Sequence, residues 1–277
     1  MLAFHGVRYT YPGTSQPVVD LDCTLPSGQK TVILGHNGSG KSTLLLLAAG
    51  LYACTQGWLT WRGERLASLR QWRRRVGLVF QNPEHQLVAA TVAEDIAYGL
   101  GNLALPTAEI HRRLAQTLTD FDLQDWAHVP LHHLSLGQKR RVALAGVMAL
   151  QPEVLLLDEP TTYLDYAQTQ AFLRQLTRIH RNGTTLVMAT HDLDLAYAWA
   201  DWVIVLKRGQ VLQAAPAAEF FADGRIGQDE QLGVPTLWAA WYALPAQWRA
   251  QRPPPKTIAA WQSYWSEPEA GLTSSPD

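Results

Sequence analysis

The run Gly35-His36-Asn37-Gly38-Ser39-Gly40-Lys41-Ser42-Thr43 constrains this chain more than any other feature. It fits the pattern G-x-x-x-x-G-K-[ST], in which glycines let backbone N–H groups curl around phosphates, a lysine supplies positive charge and a hydroxyl reaches a magnesium ion. Lys30 to Leu34, just before it, read as a short buried strand, and helix is expected from Lys41 onward. That order places the partial positive charge of a helix N-terminus against the same anion. Such a loop is a phosphate cradle. By itself it leaves kinases, GTPases and motor ATPases open.

Further along the chain, Val154 to Leu157 form a continuous apolar run suited to a central parallel strand covered on both faces, ending at Asp158-Glu159. Helix over 167–181, strand over Thr185 to Ala189, helix over 192–200 and strand over Trp202 to Leu206 continue an alternating pattern, which predicts a parallel sheet layered with helices. Val7 to Tyr11 and Val18 to Leu25 read as alternating strands around Pro12-Gly13, and Val76 to Phe80 as a short strand stopped by Gln81-Asn82-Pro83. From Thr91 to about Leu123 the period turns helical, with Val92, Ile96, Leu114, Leu118 and Phe121 as the apolar positions, and a further helix is expected over Gln138 to Leu150. Near residue 221 the composition shifts to a tail carrying Trp238, Trp241, Trp248, Trp261 and Trp265, interrupted by Pro253-Pro254-Pro255.

Composition excludes several classes. Apolar stretches such as Val154 to Leu157 and Leu44 to Ala49 fall far short of the roughly 20 residues needed to cross a bilayer, and no signal peptide is read at the start. A cytoplasmic protein is expected. With 23 basic against 24 acidic residues there is no charge excess to recruit nucleic acid or an anionic surface, so no nucleic-acid partner is expected and membrane contact must run through another protein. Cys23 and Cys54 are too few for a disulfide framework or a zinc site, which fits a reducing compartment.

The chemistry follows from the spacing. Lys41 is expected to face the β- and γ-phosphates of a nucleotide, and Ser42 to ligate Mg²⁺. Asp158 at the end of its strand can hold the water shell of the ion, and Glu159 beside it can orient and polarise an attacking water. His132-His133 is not read as a metal site, because neighbours on an extended segment point to opposite sides. Arg73-Arg74-Arg75 reads as a solvated face.

With Leu134-Ser135-Leu136-Gly137-Gln138 and Thr190-His191-Asp192 added in order, the chain resembles an ATP-binding cassette (ABC) ATPase over about residues 3 to 215. The resemblance implies a P-loop NTPase core with a parallel sheet, an antiparallel β subdomain and an inserted helical subdomain at about 82–145, within an ATPase domain at 1–221. Residues 222–277 would be a C-terminal extension that dimerises or binds a partner. It further implies that Gln81 reaches Mg²⁺ and the water, that His191 contacts the γ-phosphate, that Asp165 couples two sites, and that Tyr11 stacks on adenine. Residues 35–43 would bind ATP in one chain. Ser135, Gly137 and Gln138 would close over the ATP of a second ATPase chain, identical or a close paralogue. Leu136 and Tyr163 stand where the family most often has glycine, so positive φ would be disfavoured there; an altered rate is expected, not a lost activity.

Phe80 to Leu87, Thr91 to Gly99 and Asn102-Leu103 resemble the ATPases of energy-coupling-factor importers, and His133 to Ala143 leans toward the cobalt and nickel branch. Such a chain would sit at the cytoplasmic face of the cell membrane beneath a transmembrane scaffold subunit and a substrate-binding membrane subunit, powering import of cobalt, nickel or a vitamin. Another ABC importer or exporter is the nearest alternative. A DNA-repair type is further away, since neither coiled-coil arms nor a basic clamp is present. The loop after Gln81 and the segment Thr91 to Gly99 are expected to receive a scaffold helix, with Glu84, Glu94 and Asp95 favouring a basic partner.

Overall fold

The computed structural model describes residues 1–222, 233–250 and 252–266. Strands that are apolar throughout need cover on both faces, and the central sheet has it. This sheet has the order β10-β9-β3-β8-β7-β6, built from β3 (Lys30–Leu34), β6 (Val76–Val79), β7 (Val154–Asp158), β8 (Thr185–Thr190), β9 (Trp202–Lys207) and β10 (Gln210–Pro216). From β9 to β6 the strands are parallel; β10 returns antiparallel along β9 at the edge. A second sheet, β2-β1-β4-β5, is antiparallel and comprises β1 (Leu2–Tyr9), β2 (Val19–Leu25), β4 (Gln56–Trp61) and β5 (Glu64–Arg65).

Side chains alternate between two cores. Val32 and Leu34, Leu155 and Leu157, Leu186 and Met188 enter one; Ile33, Leu156, Val187 and Ala189 enter the other. The second core lies between the central sheet, the antiparallel sheet and α1 (Lys41–Ala48), with Trp72 of the short α2 (Leu69–Trp72) sealing one end. The first is covered by α3 (Val92–Gly101), α4 (Thr107–Asp120), α5 (Leu136–Ala149), α6 (Tyr166–Arg181), α7 (Leu193–Trp199) and α8 (Ala217–Ala222). Of the apolar positions expected in the helical region, Val92, Ile96 and Phe121 are buried and Leu114 and Leu118 pack against them.

The boundaries depart from expectation for local reasons. The helical stretch from Thr91 is two helices, because Pro106 stands immediately ahead of α4. α5 begins two residues before Gln138, at Leu136, because Ser135 caps it. β1 starts at Leu2, whose side chain and that of Phe4 are buried. β4 and β10 are absent from the sequence reading: Gly57 interrupts the first, and the second is a half-exposed edge strand without an apolar face.

Beyond the core, α9 (Thr236–Tyr242), α10 (Ala246–Arg249) and α11 (Ile258–Ser266) carry the tail tryptophans. Trp238 Nε1 donates to the carbonyl oxygen of Phe221 at 2.7 Å, and the backbone N–H and hydroxyl of Thr236 donate to Asp194 in α7 at 2.6 and 2.9 Å. Trp241 is buried against Trp261 and Tyr264, and Trp248 lies on Trp265. The tail thus packs on the α/β core and on itself; its polar end, 267–277, lies outside the described residues.

Candidate functional site

Parallel α/β sheets place their functional loops beyond the C-terminal ends of the strands. Four neighbouring strands do so here. β3 runs into the glycine loop at Gly35, β8 into His191, β7 into Glu159 and β6 into Phe80-Gln81, in the spatial order β3-β8-β7-β6. The register pairs Leu34 with Thr190 and Asp158 with Ala189, so the first three loops leave the sheet side by side.

In the glycine loop, Gly38 and Gly40 have φ of 80° and 102°, and a side chain at Gly40 would press on the Val18 carbonyl oxygen. The ammonium of Lys41 is buried, donates to the carbonyl oxygens of Gly35 at 2.6 Å and His36 at 3.2 Å, and lies 3.6 Å from Oε1 of Glu159. Glu159 is held from the other side as well. The Thr190 hydroxyl donates to Oε2 at 3.2 Å, and Nδ1 of His191 lies 2.9 Å from Oε1. The Glu159 backbone sits at φ 43°, fixed by its N–H to the Ala189 carbonyl at 2.9 Å; left-handed backbone in a non-glycine residue is costly and clusters at functional sites.

Asp158 is buried in the same region. Burial raises its carboxyl above the ordinary carboxylate range and the Glu159 charge adds to the rise, while the nearby Ser42 hydroxyl and the Lys41 ammonium pull it down. Its Oδ1 is buried without a hydrogen-bond partner. A carboxylate oxygen left unpaired beside a serine hydroxyl is an oxygen donor set of the kind that suits a hard divalent cation. Tyr11 donates to or accepts from Thr43 across 3.0 Å between the hydroxyls, and its ring meets Tyr9 edge-on at 5.1 Å, Tyr9 in turn stacking on Tyr52 at 5.0 Å. An aromatic wall therefore stands beside the glycine loop.

A model of the family described as "ABC transporter" matches residues 18–162. A putative ABC transporter ATP-binding protein of Thermosynechococcus vestitus is 56% identical over 93% of this chain and 92% of its own length. The chain belongs to the ABC transporter family. It is an ATP-binding subunit, an ATPase, of the energy-coupling-factor type. The energy-coupling factor transporter ATP-binding protein EcfA of Carboxydothermus hydrogenoformans is 44% identical, covering 74% of this chain and 77% of that one. The cobalt import ATP-binding protein CbiO of Rhodobacter capsulatus is also 44% identical, over 80% and 81%. Among solved structures, CbiO1 of Clostridium perfringens, part of the transporter complex CbiONQ, superposes with a TM-score of 0.74 at 32% identity, covering 87% of this chain and 98% of that one.

Not every expected site residue of this ABC ATPase joins the Glu159 cluster. Ser135 and Gln138 form a capping box: Gln138 N–H donates to Ser135 Oγ at 3.3 Å, and Ser135 N–H to Gln138 Oε1 at 2.7 Å. With Gly137 they line a cleft beside Trp126, Leu164, Gln168 and Phe172 that contains no residue of 35–43. Gly137 has negative φ, and a Cβ there would stand 3.0 Å from the amide end of the exposed Gln168 side chain. Asp165 caps α6 by accepting from Gln168 N–H at 2.8 Å. Gln81 is exposed, and its carbonyl oxygen accepts from Arg140 at 2.7 Å.

The two positions read as unfavourable for lacking glycine differ. Leu136 is the first residue of α5 and keeps negative φ, so it carries no strain, whereas Tyr163 does sit at φ 65° with its side chain in solvent. The acidic residues of the segment expected to receive a scaffold helix are engaged within the chain. Glu94 completes a capping box with Thr91, Asp95 accepts from the N–H groups of Val88 and Ala89 at 2.8 and 3.1 Å, and Glu84 pairs with Lys139 at 2.6 Å. His132 and His133 lie on a 3₁₀ turn with rings 4.2 Å apart, not on an extended segment. In the basic run all three arginines are exposed, as read from the sequence; at that surface Arg73 donates to the Gly50 carbonyl at 2.8 Å and Arg75 pairs with Glu153.

Thr190 and Arg140 went unassigned in the sequence. Thr190 could have been found from its place at the end of β8 directly before His191. For Arg140 the signal is helical spacing: it shares a face with Leu144 and Val147, where a charged side chain points inward.

Proposed function

We propose that this ATPase powers import of a transition-metal ion, cobalt or nickel, or of a vitamin, through a membrane complex of the energy-coupling-factor type. The observation that carries the cargo class is the segment from Phe80 to Leu103, with the His133 to Ala143 stretch; the likeness to a cobalt import protein supports it. In this reading residues 1–221 are the ATPase domain, about 82–145 its helical subdomain, and 222–277 an extension for dimerisation or partner binding. The protein works at the cytoplasmic face of the membrane. No helix among the described residues is long and apolar enough to cross a bilayer, so a scaffold subunit and a substrate-binding subunit would supply the path.

Residues 35–43 would cradle the phosphates of ATP, with Tyr11 against the adenine and Lys41 turning from the loop carbonyls to the β- and γ-phosphates. Ser42, Asp158 and Gln81 would hold Mg²⁺, which neutralises phosphate charge when bound. Glu159 orients a water and takes up its proton as the water oxygen bonds to the γ-phosphorus and the bond to the bridging oxygen of ADP breaks. His191 would contact the γ-phosphate while keeping Glu159 in place. Because Ser135, Gly137 and Gln138 line a different cleft from the glycine loop, a second ATPase chain would complete each site, and Asp165 would lie between the two.

The test is reconstitution in vesicles with a transmembrane scaffold subunit and a substrate-binding membrane subunit of the energy-coupling-factor type. ATP-dependent uptake of Co²⁺ or Ni²⁺ is expected; uptake of a vitamin alone would move the cargo to the other branch, and export would overturn the reading.

A further inference from the structure

Arg140 lies in the second turn of α5 and is 1% exposed. Its hydrogen bonds go to backbone carbonyl oxygens on two separate stretches of chain. One guanidinium nitrogen, Nη1, donates to Pro160 at 2.5 Å and Thr162 at 2.7 Å; the other, Nη2, donates to Gln81 at 2.7 Å. Pro160 follows Glu159 directly, Thr162 leads through Tyr163 and Leu164 to Asp165, and Gln81 lies in the loop that leaves β6. The third nitrogen, Nε, is buried without a partner. Burial lowers the pKa of this guanidinium, so the site holds the charge at a cost.

We propose that Arg140 is a positioning residue for ATP hydrolysis, fixing the turn behind Glu159 and the Gln81 loop relative to the helix that Ser135 caps. This rests on the reading of Glu159 as the group that orients the attacking water. Geometry supports the role. The planar guanidinium presents fixed donors along diverging directions, so carbonyl oxygens on separate segments are held at set distances from one another. A lysine concentrates its donors on one nitrogen and cannot span them. Engagement of the α5 N-terminus by a nucleotide of another chain would move the fork, and with it the backbone beside Glu159. The arrangement links the helix end that would meet a partner's ATP to the carboxylate that would act on the chain's own ATP.

The experiment uses the full chain with Arg140→Met and Arg140→Lys, each alone and combined with Glu159→Gln. Turnover at saturating ATP, affinity for a fluorescent ATP analogue and thermal unfolding are measured. A displacement of about 1 Å at a reacting group costs on the order of 100-fold, so Arg140→Met is expected to lower kcat by about 10- to 100-fold with affinity within about threefold, and Arg140→Lys to recover part of it. In the Glu159→Gln background the same substitution should cost less than about twofold, because the group it positions is already gone. Parental kcat in Arg140→Met, loss of affinity in proportion to kcat, or an equal factor in both backgrounds overturns the proposal. Should Arg140→Met fail to fold, Arg140→Lys decides by the same criteria, and parental kcat in that variant overturns it. If Glu159→Gln alone keeps full turnover, the assignment of Glu159 fails and the proposal with it; if Glu159→Gln is slow and Arg140 neutral, only the proposal falls.

Discussion

Nδ1 of His191 lies 2.9 Å from Oε1 of Glu159, joining an exposed imidazole to a buried carboxylate. With Thr190 donating to Oε2 and Lys41 within 3.6 Å of Oε1, both carboxylate oxygens are held, by groups at the end of β8 and in the glycine loop that leaves β3. A base oriented from both oxygens loses little freedom when it meets its water, which is the condition for efficient proton transfer. Glu159→Gln preserves the shape and removes the proposed base. ATP binding should persist while turnover falls at least about 100-fold, and the protein should accumulate as an ATP-bound dimer on gel filtration; near-parental steady-state turnover would remove Glu159 from this role.

Lys41 and Ser135 occupy different clefts, so their substitutions should fail differently. Lys41→Ala removes the charge facing the phosphates and leaves the backbone donors, and most nucleotide affinity should be lost in the isolated chain. Ser135→Arg places a bulky cation at the N-terminus of α5, where the γ-phosphate of a partner's ATP would come. Nucleotide titration of the isolated chain should show near-parental binding for Ser135→Arg with ATP-induced dimerisation absent. Equal loss of binding in both would contradict a site shared between chains.

Asp158 gives a stability prediction with a definite sign. Its folded-state pKa is raised above the ordinary 3.8, burial being the main cause. As pH rises past that ordinary value the unfolded chain gives up the proton first, so the folded state binds more protons and stability falls until the raised pKa is passed; above it the full cost of the charge remains. Asp158→Asn removes that cost. Thermal unfolding measured near neutral pH, without nucleotide or Mg²⁺, should move to higher temperature in the variant, and the gap should close below about pH 4, where both side chains are neutral. Mg²⁺-dependent turnover should be lost. A variant less stable than the parent near neutral pH would show that the contacts of the carboxylate outweigh its desolvation.

What the sequence could deliver depended on whether a feature was local. The glycine loop and the apolar strand ahead of Asp158-Glu159 are written in consecutive residues, and each stands where the spacing puts it. The Glu159 clamp is not local, since Lys41, Thr190 and His191 come together only because β3, β8 and β7 are neighbours in the sheet. Arg140 was hidden for a similar reason: within Lys139-Arg140-Arg141 nothing distinguishes it until the helix turns it inward onto Gln81 and Pro160. For Glu94 and Asp95 the sequence shows the charge but not the intrachain bonds that the two carboxylates make at the start of α3.

Those two carboxylates carry the last prediction. Glu94 accepts from Thr91 N–H at 3.0 Å, and Asp95 accepts from two successive N–H groups of the loop ahead of α3, so both stabilise the start of that helix. They also place negative charge in its first turn, where the helix dipole favours it. Glu94→Lys with Asp95→Lys therefore removes a capping box and two charge-assisted bonds and puts cations against the dipole. Loss of a cap costs about 1 kcal/mol and loss of hydrogen bonds to a charged group about 1.5–3 kcal/mol, so the double variant should lose on the order of 2–4 kcal/mol and unfold at a clearly lower temperature. Asp95→Asn, which keeps an acceptor oxygen and removes the charge, should lose much less. Binding to the membrane subunits separates this from a docking role: if the folded double variant keeps parental stability but fails to co-purify with them, the carboxylates face the partner; if stability falls and Asp95→Asn co-purifies normally, their work is inside α3.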